Sequence, residues 1–220
     1  MKVLYEDNHL IAVYKPSGVP VQPDESGDAS LMDLVKEYLK QKYHKQGQVF
    51  LGLLHRLDRP VSGVILFAKT SKGASRLSEQ FRLHQTLKIY QALVEGKPKK
   101  DAATLIHYLK KNSVKNKVTV YPESTKDALY AELSYTVLKS DKTHSLLEIH
   151  LKTGRPHQIR AQLATIGCPI VGDLKYGACH PLPDKSLRLA AVSLEFRLAT
   201  KEEIVKVEIP TPAEWELKVY

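Results

Sequence analysis

Asp58 lies between two arginines, Arg56 and Arg59, in the segment HRLDRPVSGVILFAKT at 55–70, directly ahead of a strongly apolar run. A carboxylate at the edge of a core stays ionised only beside a cation, and in a dry site it is a good nucleophile or base. An aspartate that caps a turn and pairs with a neighbouring arginine has the same local sequence. A second segment, LKTGRPHQIR at 151–160, turns at Thr153-Gly154-Arg155-Pro156 and is expected to enter a helix. That places Arg155, His157 and Arg160 in the first turns, where free N–H groups and cations would hold a phosphate or carboxylate. An ordinary cap with solvated basic residues gives the same pattern. Tyr90, in KIY at 88–90, reads on local grounds as a core tyrosine. The fourth polar segment, YKPSGVPVQP at 14–23, carries Lys15.

The elements that must position these residues are short. Residues 10–14 (LIAVY) read as a buried strand that stops at the Pro–Gly signals after Lys15. Ser30, with Asp33 three residues on, predicts a capped helix whose buried face is Leu31, Leu34, Val35, Tyr38 and Leu39. Strands are expected at 50–54 and 63–69, with a helix from Ser71 that turns Ala74, Leu77 and Phe81 inward. Residues 88–94 give the next strand and GKPKKD a basic turn. From 104 to 152 the pattern is strands joined by turns. The period then changes: Pro156 fits a first helical turn, Ile159, Leu163 and Ile166 share a face, and Gly167 fits the stop. Strands resume near 187–197 and 203–209. Helices that do not alternate regularly with strands imply an α+β fold with a mixed, largely antiparallel sheet and flanking helices and loops. No repeat or Ser/Gly-rich linker interrupts the chain, so residues 1–220 are expected to form one domain.

Charge narrows the partners. Thirty-three Lys and Arg against 24 Asp and Glu leave a formal +9, with a pI near 9.4. Such a surface attracts polyanions, nucleic acid first among them, although basic residues also serve solubility. Two cysteines outside any C-x-x-C suit a reducing compartment. No signal peptide and no apolar run long enough to span a bilayer is visible, so a cytoplasmic protein without membrane association is expected.

Taken together, HRLDRPVSGVILFAKT, KIY and LKTGRPHQIRAQLATIGCPIVGDLKYG resemble the RluA-type family of RNA pseudouridine synthases, and DNHLIAVYKPSGVPVQP resembles that family's N-terminal motif. The likeness runs from about Asp7 to the Trp215 region. It implies a mixed-sheet catalytic domain and an isomerase that breaks the N1–C1′ bond of a uridine in RNA, rotates the uracil and rejoins it through C5. The net reaction is neither a redox step nor a hydrolysis, so neither cofactor nor metal is expected. Asp58 falls on the family's essential aspartate, which attacks C1′ or takes a sugar proton. Arg56 falls on the arginine that fills the stack left by a flipped base, Tyr90 on the tyrosine that packs on the uracil, and Arg160 on the basic residue that pairs with the aspartate. His55, Arg155, Gln158 and Lys15, within the same motifs, are expected to contact substrate. These roles suit the chemistry: a helical uridine must leave the stack, a guanidinium is planar enough to replace it, and a ring is a platform for any base.

Val61 and Cys168 depart from the resemblance, since the family more often has Thr and His at these positions. The motifs begin within a few residues of Met1, so no accessory N-terminal RNA-binding domain of the family's kind is expected. Recognition of an rRNA or tRNA stem-loop is therefore expected from basic loops such as GKPKK and LKKNSVKNK, in a monomer. A silent RNA-binding protein on the same fold is the first alternative. A metal-dependent hydrolase built on Cys168, Cys179 and His180 is the second, against which no standard zinc spacing is found.

Overall fold

The computed structural model describes residues 1–215 and 217. In chain order its elements are β1 (Lys2–Glu6), β2 (Leu10–Lys15), α1 (Leu31–Lys42), β3 (Gly52–Leu53), β4 (Ser62–Ala68), α2 (Ser71–Arg82), β5 (Leu87–Glu95), β6 (Ala102–Asn112), β7 (Lys117–Tyr121), β8 (Leu129–Ser140), β9 (His144–Leu151), α3 (Gln158–Thr165), β10 (Leu189–Arg197) and β11 (Ile204–Glu208). The class is α+β, as expected. The chain gathers into two compact units: Met1–Leu87 with Ala191–Ile209, and Lys88–Ala190 with the described residues from Pro210 on.

In the first unit the strand order is β1-β2-β4-β10, with β3 also on β4 and β11 on β10. Leu10, Ala12, Val64, Leu66, Ala68, Leu77, Leu194 and Phe196 form its core. Every residue of β4 is buried, which explains why GVILFA reads as one apolar run rather than an alternation. Gly63 is required there: with φ +129° its Cα passes so close to Ala191 that a Cβ would lie 2.3 Å from the Ala191 carbonyl oxygen. Ser30 caps α1 with a reciprocal Asp33 box, and Thr70 caps α2 by accepting the Gly73 N–H.

The second unit orders its strands β5-β9-β8-β6-β7, and the pairings β5–β9, β9–β8, β8–β6 and β6–β7 are all antiparallel. A smaller core of Leu109, Val118, Ala131, Ala161 and Tyr176 packs α3 against β6, β7 and β8.

Leu34, expected on the buried face of α1, is 43% exposed, and three details of the elements also differ from the sequence reading. Residues 2–6 form an unanticipated strand, β1, half-buried and without alternation. The 50–54 stretch pairs only at Gly52 and Leu53. Helix α3 starts at Gln158, after His157 in a left-handed conformation (φ 50°), so Pro156 and Arg155 precede it in a turn instead of forming its first turn.

Candidate active site

In the first unit, the side chain of Lys15 holds the Asp58 loop. Lys15 ends β2 and is fully buried. Its Nζ donates to the carbonyls of Pro16 (3.0 Å), Arg59 (2.9 Å) and Val61 (2.7 Å). Three acceptors are what an ammonium with three N–H groups requires. Burial pushes the Lys15 ammonium down to about 7, an effect the nearby Asp58 carboxylate opposes and Arg59 assists. The same two segments are tied again by Gly18 N–H to Arg59 O (2.9 Å), Ser17 Oγ to Pro60 O (2.9 Å) and Arg59 Nε to Gly18 O (2.9 Å).

Within this loop Asp58 is half-buried, and its carbonyl closes a turn by accepting the Val61 N–H at 3.0 Å. Arg59 turns its guanidinium to Asp28 and, at 3.7 Å, to Asp24. Arg56 is exposed beside the buried Leu57. His55 faces inward: its Nε2 accepts the Leu66 N–H at 3.0 Å and its ring stacks on Phe81 at 4.9 Å. It therefore braces β4 and α2. The sequence brought Asp58, Lys15, Arg56 and His55 into one unit without showing that Lys15 acts on the loop backbone.

In the second unit, Tyr90 is buried on β5, opposite Ile149 of β9. Arg160 on α3 is also buried and forms a two-point pair with Asp173, Nε to Oδ2 at 2.7 Å and Nη2 to Oδ1 at 2.9 Å. That geometry matches a planar guanidinium to a carboxylate. The Arg160 guanidinium also lies 5.2 Å from the Tyr176 ring centre. The Tyr176 hydroxyl accepts the Val118 N–H (2.8 Å) and meets His157 Nδ1 (2.9 Å).

The turn before α3 is closed by Gln158. Its Oε1 accepts from Thr153 Oγ1 (2.8 Å) and the Arg155 N–H (3.0 Å), and its Nε2 donates to Glu132 O (3.1 Å). The Arg155 N–H is therefore occupied within the turn. Arg155 itself donates from Nε to Tyr130 O at 2.9 Å.

Asp173 and Tyr176 are the residues the sequence reading passed over. The available signal was a lone acid inside CPIVGDLKYG, since an acid embedded in apolar sequence needs a cation. Cys168 is buried and Cys179 exposed, and both are free thiols. Among the described residues no group of three or more His, Cys, Asp and Glu side chains is placed to hold a metal ion. Among the same residues no helix is long and apolar enough to cross a membrane.

Comparison with known proteins adds to this geometry. The RNA pseudouridylate synthase family model matches residues 9–165. An uncharacterized RNA pseudouridine synthase of Aquifex aeolicus is 32% identical, over 96% of this chain and 70% of the relative. The ribosomal large subunit pseudouridine synthase C of Rickettsia felis is 35% identical, over 94% of this chain and 67% of its own. Among solved structures, human RNA pseudouridylate synthase domain containing 4 superposes with a TM-score of 0.80 at 25% identity, covering 97% of this chain and 90% of the human one.

Proposed function

The chain belongs to the RNA pseudouridylate synthase family, as the RluA-type motifs imply, and we propose that it isomerises one uridine of a structured RNA through Asp58. The protein is an RNA-modifying isomerase. The reading adds the residues and the target. Asp58 acts at the sugar, attacking C1′ or taking a sugar proton, so that the N1–C1′ bond breaks. The uracil then turns, C5 bonds to C1′, and C5 gives up its proton. Tyr90 is the platform for the uracil, Arg160 the supporting cation, and the exposed Arg56 the replacement for the flipped base. Lys15, His55 and Gln158 hold the loops that carry these groups, and Arg155 contacts the RNA. Ribosomal RNA is the first target to test, given the name of the Rickettsia felis relative, and transfer RNA the second.

The observation that carries the reading is the Asp58 loop. A half-buried carboxylate, sited beside a buried ammonium and pinned by main-chain bonds, is preorganised for charge development at the sugar. The test is tritium release from RNA labelled at uridine C5, with RNA from cells lacking this protein. Wild-type protein is expected to release tritium, and Asp58→Asn to fall to background while still binding RNA. Full release by Asp58→Asn would remove Asp58 from the chemistry. No release by wild type would favour a silent RNA-binding protein.

A further inference from the structure

The basic segment LKKNSVKNK, expected from sequence to be a loop, belongs in the second unit to the β6–β7 pair. Strand β8 stops opposite Leu109, where Leu129 is its last pairing residue. Beyond that point Lys110, Lys111 and Asn112 pair only with Thr119, Val118 and Lys117 of β7. A two-stranded arm thus extends past the rest of the sheet. Its eight residues 110–117, KKNSVKNK, hold four lysines and no acid, and Val114 at the tip is 97% exposed.

An isolated two-stranded ribbon is marginal in water, so this one needs anchors. Val118 is buried against Ala161 and Tyr176, and its N–H reaches the Tyr176 hydroxyl. Lys175 Nζ donates to Asn116 O at 2.9 Å, and Lys110 pairs with Asp127 at 3.2 Å. Lys111 and Lys115 remain exposed, with no ion-pair partner among the described residues. The outward face of the adjoining sheet carries an aromatic pair. Tyr108 and Tyr130 are cross-strand partners in T-shaped contact at 6.0 Å, and the Tyr130 hydroxyl donates to Glu132 at the edge of this face. Arg155 reaches the same strand through the Tyr130 carbonyl.

Resting on the RNA reading above, we propose that this arm and the Tyr108–Tyr130 face form a docking surface for a stem of the substrate RNA. The lysines follow its phosphates, and Tyr130 meets an exposed base or ribose at the end of the stem. Charge complementarity selects the partner: a run of lysines fixed on a ribbon, with an aromatic platform beside it, fits a polyanion that carries rings. The wide, shallow minor groove of A-form RNA admits a two-residue-wide ribbon with an apolar tip. GKPKK, at the other end of β6, is not part of this arm.

The experiment compares binding of a short RNA hairpin across a NaCl series for wild type, Lys111→Ala/Lys115→Ala, and a charge-matched control on α2, Lys72→Ala/Arg76→Ala. The arm variant is expected to bind about tenfold more weakly at physiological salt, and its log–log salt slope to fall by about two, one per lost phosphate contact. The control is expected to stay near wild type. Tyr130→Ala is expected to weaken binding and Tyr130→Phe to restore it, since only the ring is needed. Far-UV circular dichroism establishes that each variant is folded. Equal weakening by arm and control variants would overturn the docking surface in favour of general charge attraction. Unchanged binding by the arm variant would overturn it as well, while tritium release would still uphold the enzyme. Absent release by wild type would end the functional reading whatever the arm does.

Discussion

Each unit buries a cation among its own candidate site residues, and the two are satisfied in opposite ways. In the first unit Lys15 meets three main-chain carbonyls. In the second unit Arg160 meets both oxygens of one carboxylate, Asp173. An ammonium is a compact charge with three divergent donors and can gather a bending backbone around one point. A guanidinium is a flat fork and fixes a plane. Lys15 therefore shapes a loop, while Asp173 orients a side chain. A buried positive charge can serve either end, and the chemistry of its head group decides which.

The contrast is broken most sharply at Asp173. Asp173→Ala removes the two-point pair and leaves the buried Arg160 without that carboxylate, which is expected to cost about 3 kcal/mol or more. Urea unfolding measures the loss, and activity is expected to drop with it. Unaltered stability would show that Arg160 does not depend on the carboxylate. Lys15→Met keeps the stem but leaves the buried Val61 carbonyl and the Pro16 carbonyl without this donor and Arg59 O with the Gly18 N–H alone, an expected loss of about 2 kcal/mol. Faster amide exchange is expected to be confined to residues 58–61 and their partners. Uniform exchange across the first unit would mean that Lys15 supports the core and not the loop.

The smallest effect tests a third charged centre, a carboxylate ringed by side-chain donors. Glu6 accepts from Lys42 (2.7 Å), Lys69 (2.7 Å), Tyr43 (2.6 Å) and Tyr38 (3.0 Å). Burial alone would raise its carboxyl, but these bonds outweigh it and hold Glu6 at about 2, against an ordinary 4.5. A carboxyl depressed in the folded state adds stability that is present above pH 4.5 and lost as pH falls toward 2. Glu6→Gln is expected to flatten the acid limb of the stability profile over that window. An unchanged limb would assign acid sensitivity to other carboxylates.

Much of the fold was legible because its core strands are either continuous apolar runs or clear alternations. LIAVY, GVILFA and KIYQALV announce β2, β4 and β5. Strand β1 was not legible: KVLYE is charged at both ends, exposed at Lys2 and half-buried after it, so no period marks it. The start of α3 was misplaced because a left-handed His157 leaves no trace in sequence. The motif strings nominate Asp58, Tyr90 and Arg160, but not the contacts that hold their surroundings. Lys15 binds carbonyls 44 and 46 positions away, and a main-chain acceptor has no letter of its own. Asp173 stands 13 positions from Arg160, and only the folded turn at Leu174–Tyr176 brings them together.

The Lys15 grip also bears on how this loop can drift over generations. Two of its three bonds go to the carbonyls of Arg59 and Val61, atoms that every residue type supplies alike. A side chain exchanged at either position leaves the grip in place, provided the replacement fits. Val61 illustrates the point: it is buried, yet it is its carbonyl and not its side chain that lies 2.7 Å from Lys15 Nζ. Anchoring a reactive loop by its main chain lets its side chains vary without moving the aspartate among them.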